Sequence, residues 1–488
     1  MNSSPRQKSR LTGNIVWNYF SGIASIVGLL LLYPFAIAIS GAEAYGLWVL
    51  AFGAIQLFTL SDFGLGTGIV RLLAVIKDPL ERRRFVTLAT TIFLSLGVLL
   101  LAIFSVAFPA YLNTVSINAQ VAKLLPLLVP LTGFTLFVSI AGRAYNAVLW
   151  AEDRPDIERK SSLAGLILRA AGYAVSFWAG WGAVGVILSE AISLMIPAVV
   201  CAIAVFRRYS WPVFHRGSFS IHGLPLLKMS GVLFIGSFAL LAGSQFPLYV
   251  VGTTLGLTAA TAFGGLMRLY QSCRLLLSWI ANPFIHPIMT STKEGLLALY
   301  KRCAGLVWSL GLLLAIPVFI LSKDIIDIWL GRSSEFAQGA LAMLGIGILA
   351  DAVIQPASQL VNLRRNPWLI SLANMGVLLL SIPLILWASS SGDITLTTLA
   401  TVVVPFVACP LYLIWAWQTV GLRWTKELTV NAALLIAALA LLVLVLLLFR
   451  AIPIPILGLA LAGLSELAVA AVGYLFIRRR MGAQLATG

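Results

Sequence analysis

Apolar runs of about 20 residues recur along this chain, broken only by short polar segments. A run of that length crosses a bilayer as a helix, whereas a membrane β-barrel shows alternation over ~10-residue segments. The pattern predicts fourteen spans: 14–40, 45–76, 85–108, 121–150, 161–181, 183–206, 229–252, 258–289, 304–321, 337–363, 368–389, 396–417, 428–449 and 454–477. The expected fold is therefore an all-α polytopic membrane protein. The longest connection, RRYSWPVFHRGSFSIHGLPLLK, separates spans six and seven. It divides the chain into a six-helix lobe (1–206), a linker (207–228), a second six-helix lobe (229–417) and two extra helices (428–477). Six-plus-six repeats around a central cavity are a common transporter plan. The internal echo between YPFAIAISGAEAYG and FPLYVVGTTLGLTAATAFG is faint.

Composition removes the soluble alternative. Of the 488 residues 60% are hydrophobic and 10% charged, with a mean hydropathy of +0.99, against about 25% charged in soluble domains. The net charge of +16 reads as topology, because Lys and Arg concentrate in cytoplasmic loops. Of the 33 Lys and Arg, 24 fall in segments on one side of the spans, three on the other, and six at or within spans. Both termini are thus expected in the cytoplasm, the first helix following the basic MNSSPRQKSR is read as uncleaved, and a multi-pass membrane location is expected. No basic patch with interleaved aromatics points to nucleic acid. Cys201, Cys273, Cys303 and Cys409 lack metal-ligand spacing, and three histidines are too scattered for a site. No metal, no cofactor and no catalytic residue is expected.

Polar residues at membrane depth carry the functional signal, since an ionisable group there must face a partner or water. The carboxylates are Asp62, Glu190, Asp351 and Glu466; the arginines are Arg143, Arg169, Arg268 and Arg274. Arg71, near a span end, is read as snorkelling to the interface. In span eight Arg268, Gln271, Ser272, Arg274, Ser278 and Asn282 fall within an arc of about 160°. That face must turn from lipid, either against neighbouring carboxylates or along a hydrated cavity. Span ten aligns Asp351, Gln355, Gln359 and Asn362, with Pro356 as a hinge or a packing kink. Span one aligns Asn14, Asn18, Ser21, Ser25 and Gly28, and span seven Ser230, Ser237 and Ser244. These small polar stripes suit helix packing as well as cavity lining. Arginine's fork suits phosphate, so a cationic cavity of Arg143, Arg169, Arg268 and Arg274 implies an anionic substrate.

Three stretches carry a family likeness. The first spans read NIVWNYFSGIASIVGLLLLYPFAI and SGAEAYGLWVLAFGAIQLFTLSDFGLGTGIVRLLA, and IDIWLG follows span nine. A proline late in span one, a turn ending Tyr-Gly, and Asp-Phe-Gly-Leu with a following arginine resemble the opening of the polysaccharide and O-antigen flippases. That family belongs to the multidrug/oligosaccharidyl-lipid/polysaccharide (MOP) exporter superfamily. The resemblance implies two six-helix lobes around a central cavity, alternating access, and a polyprenyl-pyrophosphate-linked oligosaccharide as cargo for surface polysaccharide. Pyrophosphate would lie near the arginines, and sugars near Gln271, Asn282, Gln355, Gln359 and Asn18. Asp62, Glu190 and Asp351 are the candidates for ion coupling or gating. A monomer is expected, and polysaccharide polymerase or assembly proteins stay open as partners. The competing readings are a cation-coupled multidrug antiporter of the same superfamily, disfavoured by the arginines, and a membrane glycosyltransferase or polymer ligase, disfavoured by the short outward segments.

Overall fold

The computed structural model describes residues 5–60, 65–209 and 223–421. It forms two compact units, Met1–Gly265 and Leu266–Gly488. In the first lie α1 (Pro5–Ser40), α2 (Ala42–Leu60), α3 (Leu65–Val75), α4 (Pro79–Leu112), α5 (Ala119–Ala122), α6 (Leu125–Ala151), α7 (Pro155–Trp178), α8 (Gly182–Tyr209), α9 (Leu224–Thr254) and the first third of α10 (Leu257–Ala281). The second unit holds the rest of α10, then α11 (Ile285–Thr290), α12 (Lys293–Ile320), α13 (Ser322–Trp329), α14 (Gln338–Arg364), α15 (Pro367–Ser389) and α16 (Ile394–Val420). The protein is an all-α polytopic membrane protein. Eight helices among the described residues are long and apolar enough to cross a bilayer. Most of the first twelve expected spans falls on described helices, the second divided between α2 and α3 with residues 61–64 outside the described residues, and spans 428–477 lie outside them too.

Local chemistry sets the helix ends. Asp78 caps α4 by accepting from Glu81 N at 2.9 Å, with Pro79 at the first position, where no N–H is needed. Asp393 caps α16 in the same way, accepting from Thr395 N at 2.7 Å. Gly41, at φ +80, turns the chain between α1 and α2 in a conformation costly for other residues. The sequence pattern differs from the structure at span eight. That span is expected as one helix to Met289; α10 instead stops at Ala281, a 3-10 turn takes Asn282–Phe284, and α11 follows. Pro283 has no N–H to continue the ladder. Pro356 leaves α14 unbroken and is itself buried.

Within each unit the helices meet at small residues. A Cβ on Gly142 of α6 would lie 2.3 Å from Ala198 Cβ on α8, and one on Gly165 of α7 would lie 2.6 Å from Ser193 O on α8. In unit 2 Gly311 of α12 meets Ala352 of α14, and Gly347 of α14 meets Val402 of α16. Lipid tails are as apolar as leucine, so close van der Waals contact replaces the hydrophobic effect between helices. Unit 1 adds tyrosine ties to backbone: Tyr33 donates to Thr261 O at 2.6 Å, Tyr111 to Tyr249 O at 2.9 Å, and Tyr249 to Leu50 O at 3.1 Å. α9 and the start of α10 are thereby fastened to α1, α2 and α4. Leu99, Val106, Ile167, Leu380 and Val407 stay exposed, as a lipid-facing surface requires.

Packing this tight predicts a sharp contrast between two glycines. A Cβ on Gly46 would meet Leu257 O at 2.1 Å, whereas one on Gly305 meets nothing within 4 Å. Gly46→Ala should destabilise the purified protein by about 1–3 kcal/mol, read as a lowered thermal midpoint. Gly305→Ala should leave the midpoint unchanged, and equal midpoints for the two variants would refute the close contact.

Candidate functional site

Two buried clusters stand out, one in each unit. In unit 1, Arg169 and Tyr173 lie one turn apart on α7, facing Glu190 and Ser193 on α8. Gly165 draws the two helices together at this level. Arg169 donates from Nε and Nη2 to Ser193 Oγ at 3.0 and 2.9 Å, and its Nε stands 3.4 Å from Glu190 Oε2. Glu190 Oε1 accepts from the Tyr173 hydroxyl and, at 3.2 Å, from the Tyr45 hydroxyl of α2. Glu190 is 1% exposed and Arg169 8%. Ions this deep persist only when their charges cancel and their hydrogen-bonding groups are met. Here the charges cancel within unit 1, and Glu190 Oε1 takes both tyrosine hydroxyls.

The second cluster repeats the plan. Tyr270 and Arg274 lie one turn apart on α10 and face Asp351 on α14. The Tyr270 hydroxyl donates to Asp351 Oδ2 at 2.5 Å, and Arg274 Nε stands 3.6 Å from Oδ1. The Arg274 side chain is 30% exposed and that of Asp351 12%. Further along α14, Gln359 donates to Asn282 Oδ1 at 3.2 Å. Gln355 Oε1 and Gln359 Oε1 are shielded and accept no hydrogen bond among the described residues. Asp351, Gln355 and Gln359 thus form the polar stripe expected of span ten. Arg364 closes its end: it donates to Ile288 O at 2.7 Å, to Ser291 Oγ at 2.8 Å and to Ser291 O, fixing α11 to α14.

The remaining sequence-predicted residues are placed as follows. Arg268 is 7% exposed on α10, where Ser272 donates to its carbonyl at 2.8 Å. Gln271 and Arg143 are half-buried, and Arg71 is exposed on α3. Arg143 makes no ion pair among the described residues. Asp62 and the side chain of Asn18 lie outside the described residues. The arrangement brings together Arg169 with Glu190, Arg274 with Asp351, and Gln359 with Asn282. From sequence the arginines are expected to line a cavity or to lie against carboxylates, and Asp62, Glu190 and Asp351 to act in coupling or gating; in the structure Arg169 stands beside Glu190 and Arg274 beside Asp351. No group of three or more His, Cys, Asp and Glu among the described residues is arranged for a metal.

Sequence reasoning passes over the tyrosines. Their signal is the spacing itself: an arginine and a tyrosine four apart on one helix, as RAAGY (169–173) and as YQSCR (270–274). It also passes over Glu152 after α6. That carboxylate is 3% exposed and receives Arg208 at 2.8 Å, Arg82 at 3.8 Å and the Tyr209 hydroxyl. It ties the basic ends of α4, α6 and α8 together.

The fold has known counterparts. The structure is similar to an inward-closed lipid II flippase, MurJ, with a TM-score of 0.74 over 97% of this chain and 99% of that one, at 14% identity. It is also similar to an inward-facing multidrug resistance MATE family transporter of the MOP superfamily, with a TM-score of 0.70 over 81% of this chain and 94% of that one, at 13% identity. A point mutant of VcmN, a MATE transporter from Vibrio cholerae, gives 0.59 over 84% and 96%, at 12% identity. The chain shares the fold of these proteins. Comparison with family models finds no match, and comparison with curated sequences finds none either.

The unit 1 cluster should behave as a structural ion pair of this fold. Glu190→Gln leaves Arg169 uncompensated and should cost about 3–5 kcal/mol. The double variant Arg169→Met/Glu190→Leu, which removes both charges, should recover most of that loss. A single variant as stable as wild type in a detergent melting series would show that the pair carries no such load.

Proposed function

We propose that the protein is a flippase that carries a polyprenyl-pyrophosphate-linked oligosaccharide across the bacterial cytoplasmic membrane for surface polysaccharide synthesis. Its two six-helix halves alternate access to the two sides, and both termini lie in the cytoplasm. The observation that carries this reading is the cationic helix α10. Arg268 and Arg274 lie on this helix within an expected span, and Arg274 remains 30% exposed beside Asp351. An arginine exposed at this depth is not turned to lipid, so it faces a polar route. Its planar fork matches phosphate oxygens. The shielded amide oxygens of Gln355 and Gln359 are acceptors suited to sugar hydroxyls. Likeness over nearly the full chain to a protein described as a lipid II flippase supports a lipid-linked cargo.

A second reading is a multidrug antiporter. It is favoured by the MATE neighbours and by Glu190 and Asp351, buried carboxylates of the kind that attract cationic drugs or coupling ions. The two readings separate on cargo. A deletion strain should accumulate lipid-linked sugar repeats by mass spectrometry and lose surface polymer. Unaltered lipid intermediates together with sensitivity to cationic drugs would select the antiporter.

Loss of the α10 charges should reproduce the deletion. Arg268→Ala and Arg274→Ala are each expected to reduce surface polymer at least about tenfold, a change of ~1.4 kcal/mol, with normal protein in the membrane fraction. Full polymer in the double variant would exclude an anionic cargo at this helix.

A further inference from the structure

The two clusters share a plan and differ in one respect. In unit 1 the guanidinium is sealed: its side chain is 10% exposed, Ser193 takes two of its donors, and Glu190 is 2% exposed beneath two tyrosine hydroxyls. In unit 2 the contact is a single approach of 3.6 Å, and the Arg274 side chain keeps 30% exposure. Arg274 makes no hydrogen bond among the described residues. A guanidinium carries five N–H donors in a fixed fork, and Asp351 faces one edge of it. Asp351 itself is held by its other oxygen, because Tyr270 donates to Oδ2 at 2.5 Å. The carboxylate can therefore stay in place while the arginine turns.

Resting on the anionic-cargo reading above, we propose that Asp351 is a resident counter-ion which a pyrophosphate head group displaces from Arg274. Without cargo, the carboxylate neutralises the guanidinium and keeps a lone cation from this depth. With cargo, the fork turns to phosphate oxygens and Asp351 remains on the Tyr270 hydroxyl. Asp351 then weakens binding twice, by competing for Arg274 and by standing as a like charge near the phosphates. It sets the affinity low enough for release, and Tyr270 sets how strongly it competes. The sealed counterpart in unit 1 has no exposed donor edge and takes no cargo.

The test is binding of farnesyl pyrophosphate to the full-length protein in lipid nanodiscs, with farnesol as the uncharged control. Arg274→Gln should weaken binding about tenfold or more. Asp351→Asn keeps the acceptor for Tyr270 but removes the charge, and should tighten binding about tenfold. A merely structural Asp351 would give the opposite sign, because Arg274 would lose its anchor. Tyr270→Phe unties Oδ2, lets both oxygens turn to Arg274, and should weaken binding about threefold. Weaker or unchanged binding by Asp351→Asn, with Arg274→Gln impaired, overturns the counter-ion and leaves the anionic cargo standing. Wild-type binding by Arg274→Gln overturns the anionic cargo and this inference with it. If Asp351→Asn does not fold, Tyr270→Phe decides: tighter or unchanged binding overturns the competition.

Discussion

Neutrality at depth is the constraint on which the rest of this structure depends. Water is absent from the hydrocarbon region, and an ion there survives only beside an opposite charge or a polar route. In this protein the constraint is met inside each compact unit by the same device. One helix supplies an arginine and, a turn away, a tyrosine; another supplies the carboxylate. The arginine cancels the charge, and the tyrosine takes up an oxygen that would otherwise be left without a donor. The unit 1 version adds Tyr45 and Ser193 and is buried. The unit 2 version does without these additions, and the difference in exposure follows.

That difference separates holding from handling. A sealed ion pair fixes two helices in register and is costly to open, because breaking it leaves a buried charge. A half-exposed pair with one long contact is held mainly by Coulomb attraction at an edge, which another anion can contest. The fold accommodates both, one in each unit. The stripe of Gln355, Gln359 and Asn282 continues from the contested pair, so charge and neutral hydrogen-bonding capacity lie along the same side of α14.

Much of the architecture is legible in the chain. Spans, their number through Trp417 and the separation of buried charges from loop charges follow from runs of apolar residues and from where Lys and Arg stand. The stripe of Asp351, Gln355 and Gln359 is readable because helical periodicity puts residues four apart on one face. Pairing is not readable. Arg169 and Glu190 are 21 positions apart, and Arg274 and Asp351 are 77 apart; one sequence offers no signal for which of four arginines meets which carboxylate. The same limit hides that two of the four arginines stand beside carboxylates. The break after Ala281 is hidden because an apolar run carries on past Pro283, and a proline alone does not mark a break, as Pro356 inside the unbroken α14 shows. Glu152 looks like a loop charge because sequence proximity to Asp153 and Arg154 hides a carboxylate that the α4, α6 and α8 ends enclose.

The glycine contacts carry one more consequence, for heat. Where Gly142 meets Ala198 and Gly311 meets Ala352, helices join without withdrawing appreciable apolar surface from water, since lipid covers that surface before they meet. The large heat-capacity change of soluble proteins comes from hydrating such surface on unfolding. Separation of these helices within the bilayer therefore carries little of it. Their association is held by contact enthalpy, its free energy follows a nearly straight line with temperature, and it has no cold limit of the kind that a water-driven core possesses.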